Sequence, residues 1–509
     1  MPSRPSPLLF VLFGLLYALG AYWGMPSALT PALDSISPLG PLAFVAKYKQ
    51  ADITYIYPAV HQLIQFAAYV VVFVFAKITG SLGSVSSVWP YGFQDPSAMF
   101  TILLVVSNLI STAMAALLLR ALWRMRPSAE AAQWFAIPLL GLSGVYAFYA
   151  RTANMDIPYL FWAVLAWREI WVYITSTEPP LARRLWLAGL YSALSIGSKD
   201  QASGIILGFG LILLATAPEG SDGWKTRLRQ ATIFSIATLL AYALFAIAPQ
   251  PARWWHHARF VTSDHVLPET PATLAGFIEL LSRCYWRMHH VYTHAGLPLA
   301  LAGIFLLWRR GRTRELLLLL LPALAYFLFI VVRVRATEER YLLPIVIPFV
   351  LCAGVAMGAM QQWPAKYKKP VLVLGIGILA LEAVFSFLPV TYCQMLDTKR
   401  AIRMEIGAIA PPGSAILLHR MQTFNYPDRY VYDSYRMMLA PGASIVPPSS
   451  HAANVLHPYD PAVRYSLTGW PDPPPGGAWK LAGTWAYPDW IKAHVHVPAV
   501  YEFHLYQKP

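Results

Sequence analysis

The chain has 509 residues, 57% of them hydrophobic and 13% charged, with a mean hydropathy of +0.47 and a net charge of +14. So apolar a composition excludes a soluble globular protein, whose surface needs more polar residues than this chain holds. The basic surplus sits in short clusters between apolar runs, which excludes nucleic acid as a partner and makes the charge a report on membrane orientation.

The first residues, Met1 to Pro7 with Arg4, lead into an apolar stretch from Leu8 to Met25. That stretch is long for a signal peptide and many more follow, so it reads as a retained first helix. Candidate spans then fall at about 8–25, 98–122, 132–150, 157–175, 185–197, 203–217, 231–249, 296–308, 316–332, 341–360 and 370–389, each near the length that crosses a hydrocarbon core. A further stretch, Pro58 to Thr79, is long enough to cross, and charge decides its reading. If it stays on one side, every second short loop carries a basic cluster. These are Arg120, Arg124 and Arg126; Arg183 and Arg184; Lys225, Arg227 and Arg229; Arg309, Arg310, Arg312 and Arg314; and Lys366, Lys368 and Lys369. If it crosses, all five clusters are translocated, against the positive-inside rule. It therefore reads as a helix lying against, or partly inserted into, the outer leaflet.

The expectation is an all-α polytopic membrane protein of about eleven spans, with the N-terminus cytoplasmic and the C-terminus outside. Residues 1–390 form the membrane domain, with outer loops at 26–97 and 250–295. Residues 391–509 lose the apolar runs, gain turn signals such as Pro411-Pro412-Gly413, and read as a small extracytoplasmic α/β domain. The cysteines, Cys284, Cys352 and Cys393, show no CxxC spacing. Cys284 and Cys393 both fall outside, where pairing and free thiols are both open.

An acid at a membrane is costly unless it faces a cavity or a partner, so each one marks a candidate site. This topology puts several at one level: Asp34 past the first span, Asp156 at the mouth of the fourth, Lys199 and Asp200 in a turn, Asp264 and His265 in the second outer loop, and Arg340 with Tyr341 at the tenth span. Carboxylates beside lysine and arginine suit a base-activated acceptor and a phosphate-bearing donor. Structural alternatives stand beside each. Asp34 would cap a turn, Asp156 would cap its helix and pair with Arg151, Lys199 would neutralise Asp200, and Arg340 and Tyr341 would anchor the interface. The histidines of the second outer loop (His256, His257, His265, His289, His290, His294) are irregularly spaced and read as interfacial, with His265 alone kept as a candidate; His61 is either a site residue or a packing contact.

Taken in order, these segments resemble a known family over about residues 8–390. An acid follows the first span (Asp34), and a helix opens with Tyr57-Pro58-Ala59-Val60-His61. An Arg-x-x-x-Met-Asp-x-Pro segment runs from Arg151 to Pro158, then come Ser198-Lys199 and an Arg-Tyr-x-x-Pro helix start at Arg340, Tyr341 and Pro344. The set is similar to the GT-C superfamily of polyprenyl-phosphate-sugar glycosyltransferases, in its protein O-mannosyltransferase and lipid A aminoarabinose transferase branch. That resemblance implies an inverting sugar transfer with Asp34 as general base and Asp156 as a second acid that orients the acceptor or supports a cation. Lys199, Arg340 and Tyr341 would hold the carrier phosphate. The partners it implies are a polyprenyl-phosphate sugar, membrane lipids and a glycan, lipid or protein acceptor. Few cysteines and no evident retention signal point to a bacterial plasma membrane. The chain departs from the pattern where many members carry two adjacent acids, because Ser35 follows Asp34. That departure leaves a divalent cation open. Asp264 and His265 match a position used for metal in some relatives, yet one such pair falls short of a metal site's ligand count. A flippase for lipid-linked sugars and an inactive assembly partner are the rival readings.

Overall fold

The computed structural model describes residues 7–23, 41–42, 58–84, 92–176, 181–218, 223–249, 251–262, 270–291, 295–335 and 337–395 of the helical part, and 409, 415–419, 444–446, 463–468, 478–486, 488–494 and 502–508 beyond it. The candidates Asp34, Asp264 and His265 lie outside these residues.

The helices are α1 (Pro7–Trp23), α2 (Ala59–Ile78), α3 (Pro96–Trp123), α4 (Gln133–Gly141), α5 (Gly144–Ala150), α6 (Asp156–Thr175), α7 (Ala182–Ile196), α8 (Ala202–Ala215) and α9 (Trp224–Tyr242). After them come α10 (Pro251–Thr262), α11 (Leu274–Val291), α12 (Gly296–Arg309), α13 (Thr313–Tyr326), α14 (Glu339–Met360), α15 (Ala365–Glu382) and α16 (Leu388–Met395). Single π-turns extend α9, α13 and α15 over Ala243–Ile247, Phe327–Val331 and Ala383–Phe387.

All eleven expected stretches are helical, but they are not equal. Among the described residues six helical segments are long and apolar enough to cross a membrane: α2, α3, α9, α13, α14 and α15 continued into α16. A seventh is α11 with α12, if that pair, bent by 106°, is one span. Helices α7, α8 and α12 have 14 or 15 residues, about 21–23 Å of helix, which falls short of the hydrocarbon thickness. The stretch 132–150 is two helices, because Ser143 turns out of α4 and caps α5 by accepting from the Tyr146 N–H.

Burial is inverted on the outermost helices. On α1 the aliphatic Leu8, Leu12, Leu15 and Leu19 are exposed while Phe10, Phe13 and Tyr17 face inward. On α2 the buried stripe is His61, Gln62, Gln65 and Tyr69, and the exposed one is Val70, Val71, Val74, Phe75 and Ile78. Apolar groups outside and polar groups inside are stable only where the surrounding solvent is hydrocarbon.

The Val60 N–H of α2 donates to the Gly197 carbonyl at 2.9 Å, at the end of α7. Farther along, Tyr69 shares a hydrogen bond with Ser107 of α3, and Phe73 packs on Phe93 just before α3 begins. So α2 lies antiparallel to the first half of α3, and α3 then carries the chain the other way. By length and composition α2 is long and apolar enough to span. The basic clusters meet at one end of the bundle. Arg184 pairs with Glu169 of α6 at 3.0 Å, and the charge of Arg229 acts on Tyr173. Arg120 and Arg124 lie with Arg168 around one recess. Arg310 pairs with Glu130. Burial pushes the Glu130 carboxyl up, but hydrogen bonds from Arg310 and Gln362 and the charges of Arg310 and Arg312 outweigh it and hold it below its ordinary value.

α14 runs through the centre with nearly all its faces buried, and small residues let its neighbours approach. Gly303 of α12 lies directly against the Cys352 carbonyl, where an added Cβ has no room. Gly303→Ala should destabilise the folded protein by about 1–3 kcal/mol through overpacking, read as a lower unfolding temperature in detergent. An unchanged temperature would contradict this packing. No disulfide forms among the described residues, and Cys284, Cys352 and Cys393 are all buried.

Beyond α16 the strands β1 (Ala415–His419), β2 (Ser444–Val446), β3 (Val463–Thr468), β4 (Lys480–Ala486) and β5 (Glu502–Gln507) form one mixed sheet in the order β2-β1-β3-β5-β4. β1 is parallel to both β2 and β3, while β5 is antiparallel to β3 and β4. A one-turn helix, α17 (Asp489–Lys492), docks on the bundle. Ile491 is fully buried, and Trp490 packs on Tyr392 of α16.

Candidate functional site

The site is built where α6 begins. Asp156, Ile157 and Pro158 are its first three residues, positions whose N–H groups have no partner within the helix, so proline costs nothing there. The Asn154 side chain accepts the Asp156 N–H at 2.7 Å, and the helix N-terminus favours the carboxylate that Asp156 carries. From the end of α7, Ser195 donates to the Tyr159 carbonyl at 2.7 Å, which fixes the following turn, Gly197-Ser198-Lys199, over the start of α6. Gly197 is needed in that turn because a Cβ would meet the Val60 side chain at 2.5 Å.

Lys199 then reaches Asp156. Its Nζ donates to Oδ1 at 2.6 Å, with both side chains buried. The ammonium lies 5.6 Å from the Tyr159 ring centre and 5.8 Å from that of Tyr341, and the Arg340 guanidinium lies 5.1 Å from the same Tyr341 ring. Tyr341 thus stands between two cations. Arg340 also pairs with Glu338 at 2.7 Å. The Tyr159 and Tyr326 hydroxyls approach each other within the field of Asp156 and Tyr341. The second carboxylate oxygen of Asp156, Oδ2, is buried without a hydrogen-bond partner among the described residues. A carboxylate with one oxygen held and the other open can accept from a substrate hydroxyl, and the two cations beside it can hold a phosphate.

Asp156, Lys199, Arg340 and Tyr341, separated by up to 185 positions in the sequence, therefore converge. His61 is close by in the chain path, one residue after the Val60–Gly197 contact, and is fully buried with both ring nitrogens unpartnered among the described residues. The structural alternatives resolve differently from expectation. Arg151 serves as a tie elsewhere, donating to the Thr391 hydroxyl at 2.7 Å and the Leu16 carbonyl at 3.0 Å, with its plane over Phe387. Asp200 pairs with His257 at 2.7 Å, leaving Lys199 to Asp156. His290 likewise meets Glu339 at 3.0 Å. Two histidines taken as interfacial are thus bound to acids flanking the site, a pairing that no spacing in the sequence announces. Tyr159 and Tyr326 were missed for the same reason, since each reads as one more aromatic in an apolar helix.

No trio of His, Cys, Asp or Glu side chains converges as a metal site among the described residues. Asp156 already has a cation at 2.6 Å, which would repel a second one.

No protein-family model matches the chain, and no curated protein does. Among solved structures it is similar to ArnT from Cupriavidus metallidurans bound to undecaprenyl phosphate, at 10% identity over 98% of this chain and 97% of that one, with a TM-score of 0.47. It is similar also to the oligosaccharyltransferase AglB from Archaeoglobus fulgidus in complex with an inhibitory peptide and a dolichol-phosphate, at 11% identity over 91% and 69% of the chains and a TM-score of 0.46. The protein O-mannosyltransferase Pmt1-Pmt2 complex of S. cerevisiae, bound to the sugar donor, matches at 13% identity over 50% and 35%, with a TM-score of 0.35. At such scores the likeness is one of outline.

Proposed function

We propose that this chain is an inverting glycosyltransferase, which moves a sugar from a polyprenyl-phosphate carrier to a lipid, glycan or protein acceptor at the outer face of a bacterial plasma membrane. The observation that carries this reading is the buried Lys199–Asp156 pair with Tyr341 and Arg340, set at the end of α6 opposite the basic clusters. Cations held by aromatic rings within an apolar bundle suit an anionic headgroup on a hydrocarbon tail. In the reaction the acceptor oxygen attacks the anomeric carbon, and the bond from that carbon to the carrier phosphate breaks. The electron pair leaves with the phosphate, and the acceptor's proton passes to the Asp34 carboxylate. Lys199, Arg340 and Tyr341 stabilise the leaving phosphate, while Asp156 holds Lys199 and offers its open oxygen to the acceptor. Asp34 takes its role from the sequence resemblance. The C-terminal sheet, whose companion helix α17 packs Trp490 on Tyr392 of α16, offers a surface for the acceptor.

Analysis of lipids and glycans from a deletion strain tests this. Carrier-linked sugar should accumulate and one glycan should lack a residue. Carrier-linked sugar trapped on the cytoplasmic side would favour a flippase, and an unchanged profile would remove the enzyme reading. Sidedness is tested separately with single cysteines in a cysteine-free background. A membrane-impermeant thiol reagent should label a cysteine at Asp34 and spare one at Lys225, which is exposed at the basic end. Labelling of both from outside, or of Lys225→Cys alone, would refute the orientation.

A further inference from the structure

Each cation of the site is followed or preceded in the chain by an acid, and each of those acids is held by a histidine from one segment. Lys199 is followed by Asp200, whose Oδ2 lies 2.7 Å from His257 Nε2 on α10. Arg340 is preceded by Glu339, whose Oε1 lies 3.0 Å from His290 Nδ1 on α11. Both histidines thus come from residues 251–291, although the four site-flanking residues come from two distant places in the chain. Resting on the function proposed above, we infer that His257 and His290 are positioning residues for donor binding. They engage the two acids beside Lys199 and Arg340, so that the pocket presents its positive charge to the carrier phosphate.

The physical reason is the placement of the acids. A carboxylate one residue from each cation would draw the ammonium or guanidinium toward itself and lower the potential felt by an incoming phosphate. His257 is buried and Asp200 is half-buried, so their interaction is poorly screened by water. The Tyr242 hydroxyl, held by Trp254 at 3.1 Å, also lies within the field of Asp200 and completes the wall on that side. His290 lies against Glu339, which is next in the chain to the Glu338–Arg340 pair. Asp156 is the partner that fixes the aim of Lys199.

The test is direct binding of farnesyl phosphate to the purified full chain in detergent, with farnesol as the uncharged control. The unaltered protein should bind the phosphate more tightly than the alcohol. Equal binding of the two would sink the donor reading itself, independently of the histidines. Given that preference, His257→Ala and His290→Ala should each weaken farnesyl phosphate binding about tenfold, the effect of one charge interaction of moderate strength, while farnesol binding holds. Adding Asp200→Asn to the first and Glu339→Gln to the second should restore binding to within about twofold, because the acid is then gone. Asp200→Asn alone should leave binding unchanged or tighter, and it remains informative if a histidine variant fails to fold. Double variants no better than the singles, or weaker binding by Asp200→Asn alone, would overturn the inference. In transfer assays the same variants should raise the donor KM and leave kcat nearly unaltered; a fall confined to kcat would overturn it as well.

Discussion

Asp34→Asn should lower the transfer rate by about 10²–10⁴-fold, the contribution of a positioned general base, while the protein still folds and still binds its phosphate-bearing donor. The amide keeps the size and much of the hydrogen bonding of the carboxylate but cannot take the acceptor's proton. Rates measured with saturating donor, set beside farnesyl phosphate binding, separate the two effects. Loss of binding along with rate would make the residue a structural or donor contact, and full activity would remove it from the chemistry. The prediction is sharp because Asp34 has no adjacent acid to substitute for it, Ser35 being next in the chain.

Lys199→Met should be worse, because it damages the fold and the chemistry together. The ion pair it breaks is buried on both sides, and removing one member strands a carboxylate in an apolar bundle at a cost of about 3–5 kcal/mol. Combining it with Asp156→Asn should recover most of that stability, since no charge is then left unpaired. Activity should stay down by at least about 10²-fold in the double variant, because the group that meets the leaving phosphate is still missing. Unfolding temperature in detergent and transfer rate are therefore expected to part company. If activity returned with stability, the pair would be a structural element and the phosphate would have to be held elsewhere.

Much of the helical layout was legible, because crossing lipid demands long apolar runs and the basic clusters mark the loops between them. The charges alone kept α2 from reading as a crossing; by length and composition it passes as a span, and it pairs with α3 as a hairpin. The break at Ser143 escaped notice since Gly141-Leu142-Ser143-Gly144 interrupts the chain without interrupting its hydrophobicity. Of the eleven expected spans, α7, α8 and α12 are apolar but short, and six described helical segments, one of them α2, are long and apolar enough to cross. At the site, the convergence of Asp156, Lys199, Arg340 and Tyr341 was readable from their common level, whereas their partners were not. Neighbours in sequence suggested Lys199 with Asp200, but the end of α7 turns the lysine onto α6 and leaves Asp200 facing α10. Such choices depend on which helices pack together, and local pattern does not encode them. The histidines failed for the same reason.

The guanidinium of Arg151 bears on how the protein is made. One of its nitrogens is satisfied by a carbonyl in α1 and another by a hydroxyl in α16, more than three hundred residues later. Until α16 leaves the ribosome, a buried cation beside the nascent pocket lacks one of these partners. The segment leading into α6 is therefore held in its final place only late in synthesis. A chain cut before Thr391 should insert its earlier helices and yet leave the segment before α6 untied at this point.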